Sequence, residues 1–267
     1  MPLTKPQKEV IDNNSRFRVL ITGRRFGKTY LAINELAKFA SKSNQKVWYV
    51  APTYRQAKQI CWTELKDRLI AHKWVKNVNN SDLTITLKNN SKITLRGADN
   101  EQSLRGVGLD FIVLDEFADI HKEAWYEVLR PTLSDTGGHA LFCGSPRGFG
   151  NWSYELFKQG ETNKDWNSFK YTTLEGGQVS DEEIEQAKQD LDIRTFQQEY
   201  EATFVNYSGM IYYNFNRQKN IIDKFDKEYP VLHIGLDFNV DPMTAVVCYI
   251  EREIIIVIDE IQIYSSN

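Results

Sequence analysis

The sequence predicts an α/β fold in which helices cover a mostly parallel central sheet. Strand-like apolar runs alternate with helix-like segments between residues 18 and 143, which is the pattern of successive strand–helix units. Several of these runs are apolar without interruption, as expected of parallel strands that are buried on both faces. One run ends in two adjacent acids and another ends at a glycine, so functional side chains are expected at strand ends.

Local patterns justify each element of this first half. An apolar run at 18–22 leads into a glycine-containing loop, and apolar residues then recur with helical spacing at 29–40. Alternating apolar and polar residues at 82–87 and 92–95 flank Asn89-Asn90, which predicts a hairpin. The other elements predicted in this half are strands at 46–51, 110–114 and 139–143 and a helix at 55–71.

The pattern changes after Thr173. Ser180 precedes three acids, which is typical of a helix N-cap and first turn, and helices are predicted at 181–191 and 194–202. Three strands are predicted at 231–237, 243–250 and 253–263. The predicted organisation is a core at 1–173, a small helical lid at 174–228 and a short β region at 229–267.

Composition excludes several classes of protein. The chain has 267 residues, of which 41% are hydrophobic and 12% aromatic, so intrinsic disorder is excluded. Its 33 Lys and Arg against 36 Asp and Glu give a net charge of −3, which excludes a generally basic nucleic-acid coat protein. The three cysteines match neither a zinc site nor a disulfide framework. No apolar run has the length of a membrane span, and we expect no membrane partner and a cytosolic location.

Residues 22–29 (TGRRFGKT) are the sharpest signal in the chain. The phosphate-binding P-loop pattern is G-x-x-x-x-G-K-[ST], and Gly27, Lys28 and Thr29 match it, whereas Thr22 replaces the first glycine. Such a loop turns its backbone N–H groups towards phosphates, with a lysine reaching the terminal phosphates and a hydroxyl binding Mg²⁺. The alternative is an ordinary turn with a chance Gly-Lys-Thr. The residues predicted to bind ATP here are Thr22, Gly23, Arg25, Phe26, Gly27, Lys28 and Thr29.

Asp115 and Glu116 follow the apolar run at 110–114. In P-loop enzymes an acid at this strand end holds Mg²⁺, and a following Glu polarises the attacking water. We therefore predict that Asp115 binds the metal and that Glu116 is the catalytic base. The alternative is that two acids simply end a strand.

Together these residues resemble the large terminase subunit of tailed bacteriophages, the ATP-driven motor that packages DNA into proheads. Lys5-Pro6-Gln7 resembles the family's adenine-reading motif, which implies that Gln7 contacts the base. A P-loop with an internal arginine and no first glycine is similar to terminase versions. Segments 51–57 (APTYRQA) and 104–108 (LRGVG) are also typical of this family. Segment 144–148 (GSPRG) resembles the coupling motif, which implies that Ser145 senses the γ-phosphate. The resemblance spans about residues 3–250.

Two arginines are candidates for neutralising transition-state charge. Arg24 lies inside the loop and would act within its own subunit. Arg105 lies in a segment that terminase-like motors present to a neighbouring subunit, so it would act on that neighbour. The alternatives are a solvated loop arginine for Arg24 and a salt bridge for Arg105.

Asp237 lies on a predicted strand that resembles the opening of the terminase nuclease, an RNase H-like domain whose acids hold two metal ions, Mg²⁺ or Mn²⁺. The resemblance implies that Asp237 is the first ligand; Asp241, Asp259 and Glu260 are weaker candidates. The family needs further acids downstream of Asn267, so this chain is expected to be a truncated form or a natural variant that does not cleave DNA.

The resemblance implies an ATPase that translocates double-stranded DNA as a homo-oligomeric ring on the prohead portal, with the terminase small subunit as a partner, in the host cytoplasm. Two other functions stay open from the residues. One is a helicase-like translocase outside packaging, and the other is a nucleotide-switched assembly module without significant turnover.

Overall fold

A mostly parallel sheet is the centre of the larger part of the protein. The computed structural model describes residues 2–205, 220–221, 231–238, 242–252 and 254–264. Within these residues eight strands form one sheet: β1 (Phe17–Thr22), β2 (Lys46–Ala51), β3 (Val75–Asn79), β4 (Thr84–Leu87), β5 (Lys92–Gly97), β6 (Phe111–Asp115), β7 (His139–Gly144) and β8 (Trp166–Tyr171). Their order across the sheet is β3-β4-β5-β2-β6-β7-β1-β8. The last six strands in this order are parallel to one another. At the other edge, β4 pairs antiparallel with both β3 and β5.

Helices cover this sheet on both faces. Those with α-helical geometry are α1 (Lys5–Asp12), α2 (Lys28–Ala40), α3 (Tyr54–Ala57), α4 (Thr63–Ala71), α5 (Arg130–Thr132), α6 (Trp152–Thr162), α7 (Thr173–Gly176), α8 (Asp181–Asp190) and α9 (Ile193–Glu199). A π-helical segment, Lys58–Trp62, joins α3 to α4, and a second one, Ala124–Leu129, precedes α5. Among the helices of the described ranges, none is long and apolar enough to cross a membrane.

The sheet separates two buried clusters. Leu20, Tyr49 and Val113 face the cluster that contains α2, whereas Val19 and Ile112 face the cluster on the other side. Successive residues of one strand point to opposite faces, so a strand that is buried on both faces is apolar at most positions. This explains the uninterrupted apolar runs in the sequence.

A buried ion pair links the end of the sheet opposite the glycine loop to two helices. The Arg18 guanidinium on β1 donates to the Glu35 carboxylate on α2 and, at 2.8 Å, to the backbone oxygen of Val10 on α1. The side chains of Arg18 and Glu35 are 2% and 0% exposed. Lys38 is a second cation 3.5 Å from Glu35. One side chain of β1 therefore binds both α1 and α2.

The predicted mixed α/β class with a mostly parallel sheet is confirmed, and so is the 82–95 hairpin, in which Thr84 pairs with Thr94. The predicted 55–71 helix begins at Tyr54 and is π-helical in its middle. The helix predicted at 194–202 runs from Ile193 to Glu199, and Ala202 beyond it has a left-handed backbone with a φ of 55°. Six of the labelled elements were not predicted: α1, α5, α6, α7, β3 and β8.

The chain divides into two compact units, Met1–Met210 and Ile211–Asn267. Among the described residues of the second unit, β9 (His233–Asp237), β10 (Met243–Glu251) and β11 (Ile254–Ile263) form an antiparallel sheet in the order β11-β10-β9. These are the three strands predicted for this region, with shifted ends. The boundaries predicted near residues 173 and 228 stay predictions.

Candidate nucleotide-binding site

The loop between β1 and α2 has the geometry that phosphate binding requires. Gly27 is the N-cap of the 13-residue helix α2 and has a left-handed backbone with a φ of 92°. Arg25 is left-handed as well, with a φ of 62°. The loop therefore turns sharply into the N-terminus of a helix, where free N–H groups and the helix dipole favour an anion.

Contacts with later segments hold the start of this loop. The Gly23 N–H donates to the Tyr171 carbonyl at 3.0 Å, and the Thr173 hydroxyl donates to the Arg24 carbonyl at 2.8 Å. A Cβ at Gly23 would lie 2.4 Å from the Thr173 hydroxyl oxygen and 2.5 Å from the Tyr200 carbonyl oxygen. Only glycine fits at position 23. Thr22, which occupies the first-glycine position of the pattern, is the fully buried last residue of β1. The position where neighbouring segments leave no room for a side chain is therefore Gly23, one residue after the first glycine of the pattern.

Buried contacts of Gln7 and Phe26 stabilise the loop. Gln7 is 2% exposed, and its amide nitrogen donates to the Phe26 carbonyl at 3.2 Å. Its amide oxygen accepts a hydrogen bond from the Thr4 N–H at 3.0 Å, so it also caps α1. The Phe26 ring is buried and stacks on Tyr171 with centroids 5.5 Å apart. The described contacts of Gln7 are thus with protein, and its contact with a base stays a prediction.

The sheet order brings the predicted catalytic groups to this loop. Strand β7 lies between β6 and β1, so the segment after β7, which contains Ser145, lies between the acids and the loop. Lys28 Nζ lies 3.4 Å from Ser145 Oγ and 3.6 Å from Glu116 Oε1. Glu116 has a left-handed backbone, with a φ of 49°, at the turn out of β6. A cleft of about 550 Å³ is lined by Arg24, Arg25, Phe26, Gly27, Lys28, Thr29, Glu116 and Gln178.

Asp115 is a buried carboxylate behind this cleft. It is 2% exposed, and it accepts hydrogen bonds from the Tyr49 hydroxyl at 2.5 Å and from the Glu116 N–H at 3.1 Å. Burial, with the adjacent Glu116 charge, raises the pKa of Asp115 to about 6, although Tyr49 and Lys28 act against the rise. A cation would favour the charged form of this carboxylate.

The donor set fits Mg²⁺. This ion binds proteins through one or two carboxylates and completes its shell with phosphate oxygens and water. Asp115 offers a carboxylate, and Thr29 offers a hydroxyl at the cleft. Across the described part of the chain, no group of three or more His, Cys, Asp or Glu is arranged to hold a metal without such help.

The burial of Asp115 predicts a pH-dependent stability for the protein without metal or nucleotide. The pKa of Asp115 is about 6 in the folded chain, above the ordinary value of 3.8 for an aspartate, so ionisation of this carboxyl favours unfolding. The contribution of Asp115 to stability is complete below about pH 4 and is lost as pH rises through about 6. The difference in unfolding free energy between Asp115→Asn and wild type, both in EDTA, is expected to shift by about 3 kcal/mol in favour of the variant between pH 4 and 8. Urea unfolding at several pH values measures this gain.

The control for this prediction is Asp67→Asn, the same exchange at an exposed surface position. A difference between Asp115→Asn and wild type that stays constant from pH 4 to 8 would contradict the prediction.

The arginines of the region have different surroundings. Arg24 is 65% exposed and forms an ion pair with Glu199 of α9, which raises the pKa of Arg24. Arg147 forms two hydrogen bonds with Asp119, at 3.1 and 3.2 Å. Arg105 is exposed and does not line the described cleft, and no ion pair found among the described residues includes it.

Sequence reasoning missed three residues of this site. Tyr49 and Glu199 contact predicted residues from 66 and 175 positions away in the chain, and Gln178 lines the cleft from the loop after α7. No local motif marks any of them. Their contacts with the site can be identified only from the folded structure.

In the second unit, Asp237 ends β9 and pairs in register with Thr244 of β10. Thr244 pairs in turn with Gln262 of β11, so Glu260, two residues away, shares a face of the sheet with Asp237, whereas Asp259 lies on the other face. Asp241 lies outside the described residues. A metal role for Asp237 stays a prediction.

Comparison with known proteins agrees with this geometry. Residues 19–219 match the family described as terminase large subunit, T4-like virus type, N-terminal. The terminase large subunit of Escherichia phage T5 is 32% identical over 248 residues, covering 88% of this chain and 56% of that protein. The chain thus spans about half the length of that relative.

Solved structures share the fold. The large terminase ATPase domain of Thermus phage P74-26 has a TM-score of 0.68 and 27% identity over 76% of this chain and 94% of that one. The large terminase of a thermophilic bacteriophage, solved in complex with ADP, has a TM-score of 0.68 and covers 98% of this chain and 69% of its own length. At 18% identity, this second likeness shows the fold alone. The family match, the T5 relative and the geometry of the loop and acids agree: the chain belongs to the terminase large-subunit family.

Proposed function

We propose that this chain is the ATP-hydrolysing motor subunit of a viral terminase and translocates double-stranded DNA into the prohead. The observation that carries the proposal is the position of Lys28 Nζ, 3.4 Å from Ser145 Oγ and 3.6 Å from Glu116 Oε1. A cation, a strand-end hydroxyl and a carboxylate meet beside the glycine loop, where the terminal phosphate of ATP would lie. The membership in the terminase family supports the same activity.

Five side chains in or next to the cleft have separate roles in this chemistry. Lys28 and the N–H groups at the start of α2 bind the phosphates, and Glu116 accepts a proton from the attacking water. Thr29 and Asp115 would hold Mg²⁺, which would neutralise charge on the phosphate oxygens. Ser145 lies within reach of Lys28 and would respond to the presence of the γ-phosphate.

Two arginines complete the proposed site. Arg24 lines the cleft and is held by Glu199 in the described structure, so it would exchange this partner for a phosphate when ATP binds. Arg105 is exposed and does not line the cleft of its own chain, which fits a contribution to the site of a neighbouring subunit.

Membership in the family supports a wider role. The chain would act as a homo-oligomeric ring on the prohead portal, with the terminase small subunit, in the host cytoplasm. Asp237 would be one ligand of an RNase H-like nuclease site for Mg²⁺ or Mn²⁺ that needs further acids.

Steady-state ATP hydrolysis across a series of protein concentrations tests the activity and the ring together. Turnover per chain is expected to rise with concentration and to depend on Mg²⁺. Arg105→Ala should flatten this rise, because each site would lack the cation of its neighbour. Lys28→Ala is the inactive reference, and Lys164→Ala, at an exposed position of the α6–β8 turn, is the matched lysine control.

Other outcomes would favour other functions. Nucleotide binding with no turnover at any concentration would contradict the motor and favour an assembly module. Strand displacement on duplexes with free ends would favour a helicase-like translocase. Turnover independent of concentration, unchanged in Arg105→Ala, would assign the site to Arg24 alone.

A further inference from the structure

A buried tyrosine hydroxyl lies behind the metal-binding carboxylate of the proposed site. Tyr49 occupies the middle of β2, is 0% exposed, and pairs in register with Val113 of the neighbouring parallel strand β6. Asp115 is two residues beyond Val113 and therefore lies on the same face of the sheet. The Tyr49 hydroxyl crosses this short distance and donates to Asp115 Oδ2 at 2.5 Å.

The other carboxylate oxygen is held as well. Asp115 Oδ1 accepts the Glu116 N–H at 3.1 Å, so each oxygen of the carboxylate has its own fixed donor. Two donors on opposite oxygens fix the rotation of the carboxylate about its Cβ–Cγ bond. Each oxygen has two lone pairs, so a hydrogen bond at one of them leaves the other for a metal ion.

Tyr49 itself has little freedom to move. Its ring belongs to the buried cluster between the sheet and α2, together with Cys61 of the Lys58–Trp62 π-helix and Cys143 of β7. Cys143 pairs in register with Asp115. The hydroxyl thus presents its proton to Asp115 from a fixed position in the core, with no water needed to complete the contact.

We propose that Tyr49 is a positioning residue, whose hydroxyl fixes the Asp115 carboxylate in the orientation that binds Mg²⁺ together with nucleotide. This inference rests on the proposed function. Carboxylates that bind metals are commonly oriented by such outer hydrogen bonds, and loss of one typically lowers metal affinity by about 10–100-fold. The competing interpretation is that the hydroxyl only satisfies a buried oxygen and affects stability alone.

Tyr49→Phe distinguishes these interpretations, because it removes one oxygen atom and keeps the buried ring. Binding of a fluorescent ADP analogue is measured as Mg²⁺ is titrated, together with ATP turnover over the same range. The half-saturating Mg²⁺ concentration is expected to rise about tenfold. Nucleotide binding in EDTA is expected to stay unchanged, and turnover should return close to the wild-type value at saturating Mg²⁺.

Tyr54→Phe is the matched control. The Tyr54 hydroxyl also donates one hydrogen bond, at 2.6 Å to the Ser81 carbonyl, but it lies outside the cleft. This variant is expected to keep the Mg²⁺ dependence of wild type. A loss of turnover in Tyr49→Phe that excess Mg²⁺ does not restore would indicate a structural lesion and overturn the proposal.

The wild-type titration separates the two levels of inference. If wild type binds nucleotide with Mg²⁺ and hydrolyses ATP, an unchanged Mg²⁺ dependence in Tyr49→Phe overturns the role of Tyr49 alone. If wild type shows neither, the proposed function fails and the role of Tyr49 fails with it.

Discussion

Glu116→Gln is expected to lower the rate of ATP hydrolysis by about 10²–10⁴-fold, the usual contribution of a general base. The glutamine keeps the size and polarity of the side chain but does not accept a proton from water at neutral pH. Because Lys28 and the loop backbone remain, affinity for MgATP is expected to change little. Single-turnover hydrolysis with saturating MgATP measures the chemical step, and a fluorescent nucleotide measures affinity.

The position of Glu116 makes this variant informative. Its side chain is 34% exposed and lies 3.6 Å from Lys28, so it is accessible to a water molecule in the cleft. Glu123→Gln, the same exchange at an exposed position, is the control and should hydrolyse ATP as wild type does. Wild-type hydrolysis by Glu116→Gln would show that another group is the base.

Glu35→Gln is expected to destabilise the first unit by about 3–5 kcal/mol, the usual cost of removing one partner from a buried ion pair. The Arg18 guanidinium would then keep its charge in the core without its carboxylate partner. Val10 and α1 depend on the same guanidinium, so the loss extends to the packing of the N-terminal helix. Urea unfolding followed by tryptophan fluorescence measures the change, because all six tryptophans lie between Trp48 and Trp166 in the first unit.

The chain offers a matched comparison for this variant. Glu64 forms an ion pair with Arg68 at 2.7 Å, but their side chains are 45% and 33% exposed. Glu64→Gln is therefore expected to cost less than about 1 kcal/mol, as exposed pairs do. Equal losses in Glu35→Gln and Glu64→Gln would mean that burial of the Arg18 pair does not set its contribution.

Apolar patterning was sufficient to predict the central strands of the sheet, and it failed at the sheet's edges. β2, β6, β7 and β1 are buried on both faces, so they appear in the sequence as uninterrupted apolar runs. The two strands that were missed, β3 and β8, are the first and last in the sheet order. An edge strand exposes part of its surface and carries polar residues such as Lys76 and Asn167, so its pattern resembles a loop.

The same contrast holds for the site. The loop at 22–29 and the acids at 115–116 are local motifs, and the structure brings them together through the order of β6, β7 and β1. Glu199 was not predictable, because its pairing with Arg24 depends on the path of the chain between the two residues. The glycine requirement at position 23 has the same origin, since Thr173 and Tyr200 create it.

The position of β1 in the sheet has a consequence for synthesis of the chain. β1 pairs only with β7 and β8 in the described sheet, although it ends at Thr22 and β7 begins at His139. β1 and the loop at 22–29 that follows it therefore emerge from the ribosome long before β7 or β8 exists. The contacts of β1 are among the least local in the fold, and such pairings form late. Nascent chains that end before β7 lack both strands that pair with β1. The proposed nucleotide binding therefore requires translation of most of the first unit.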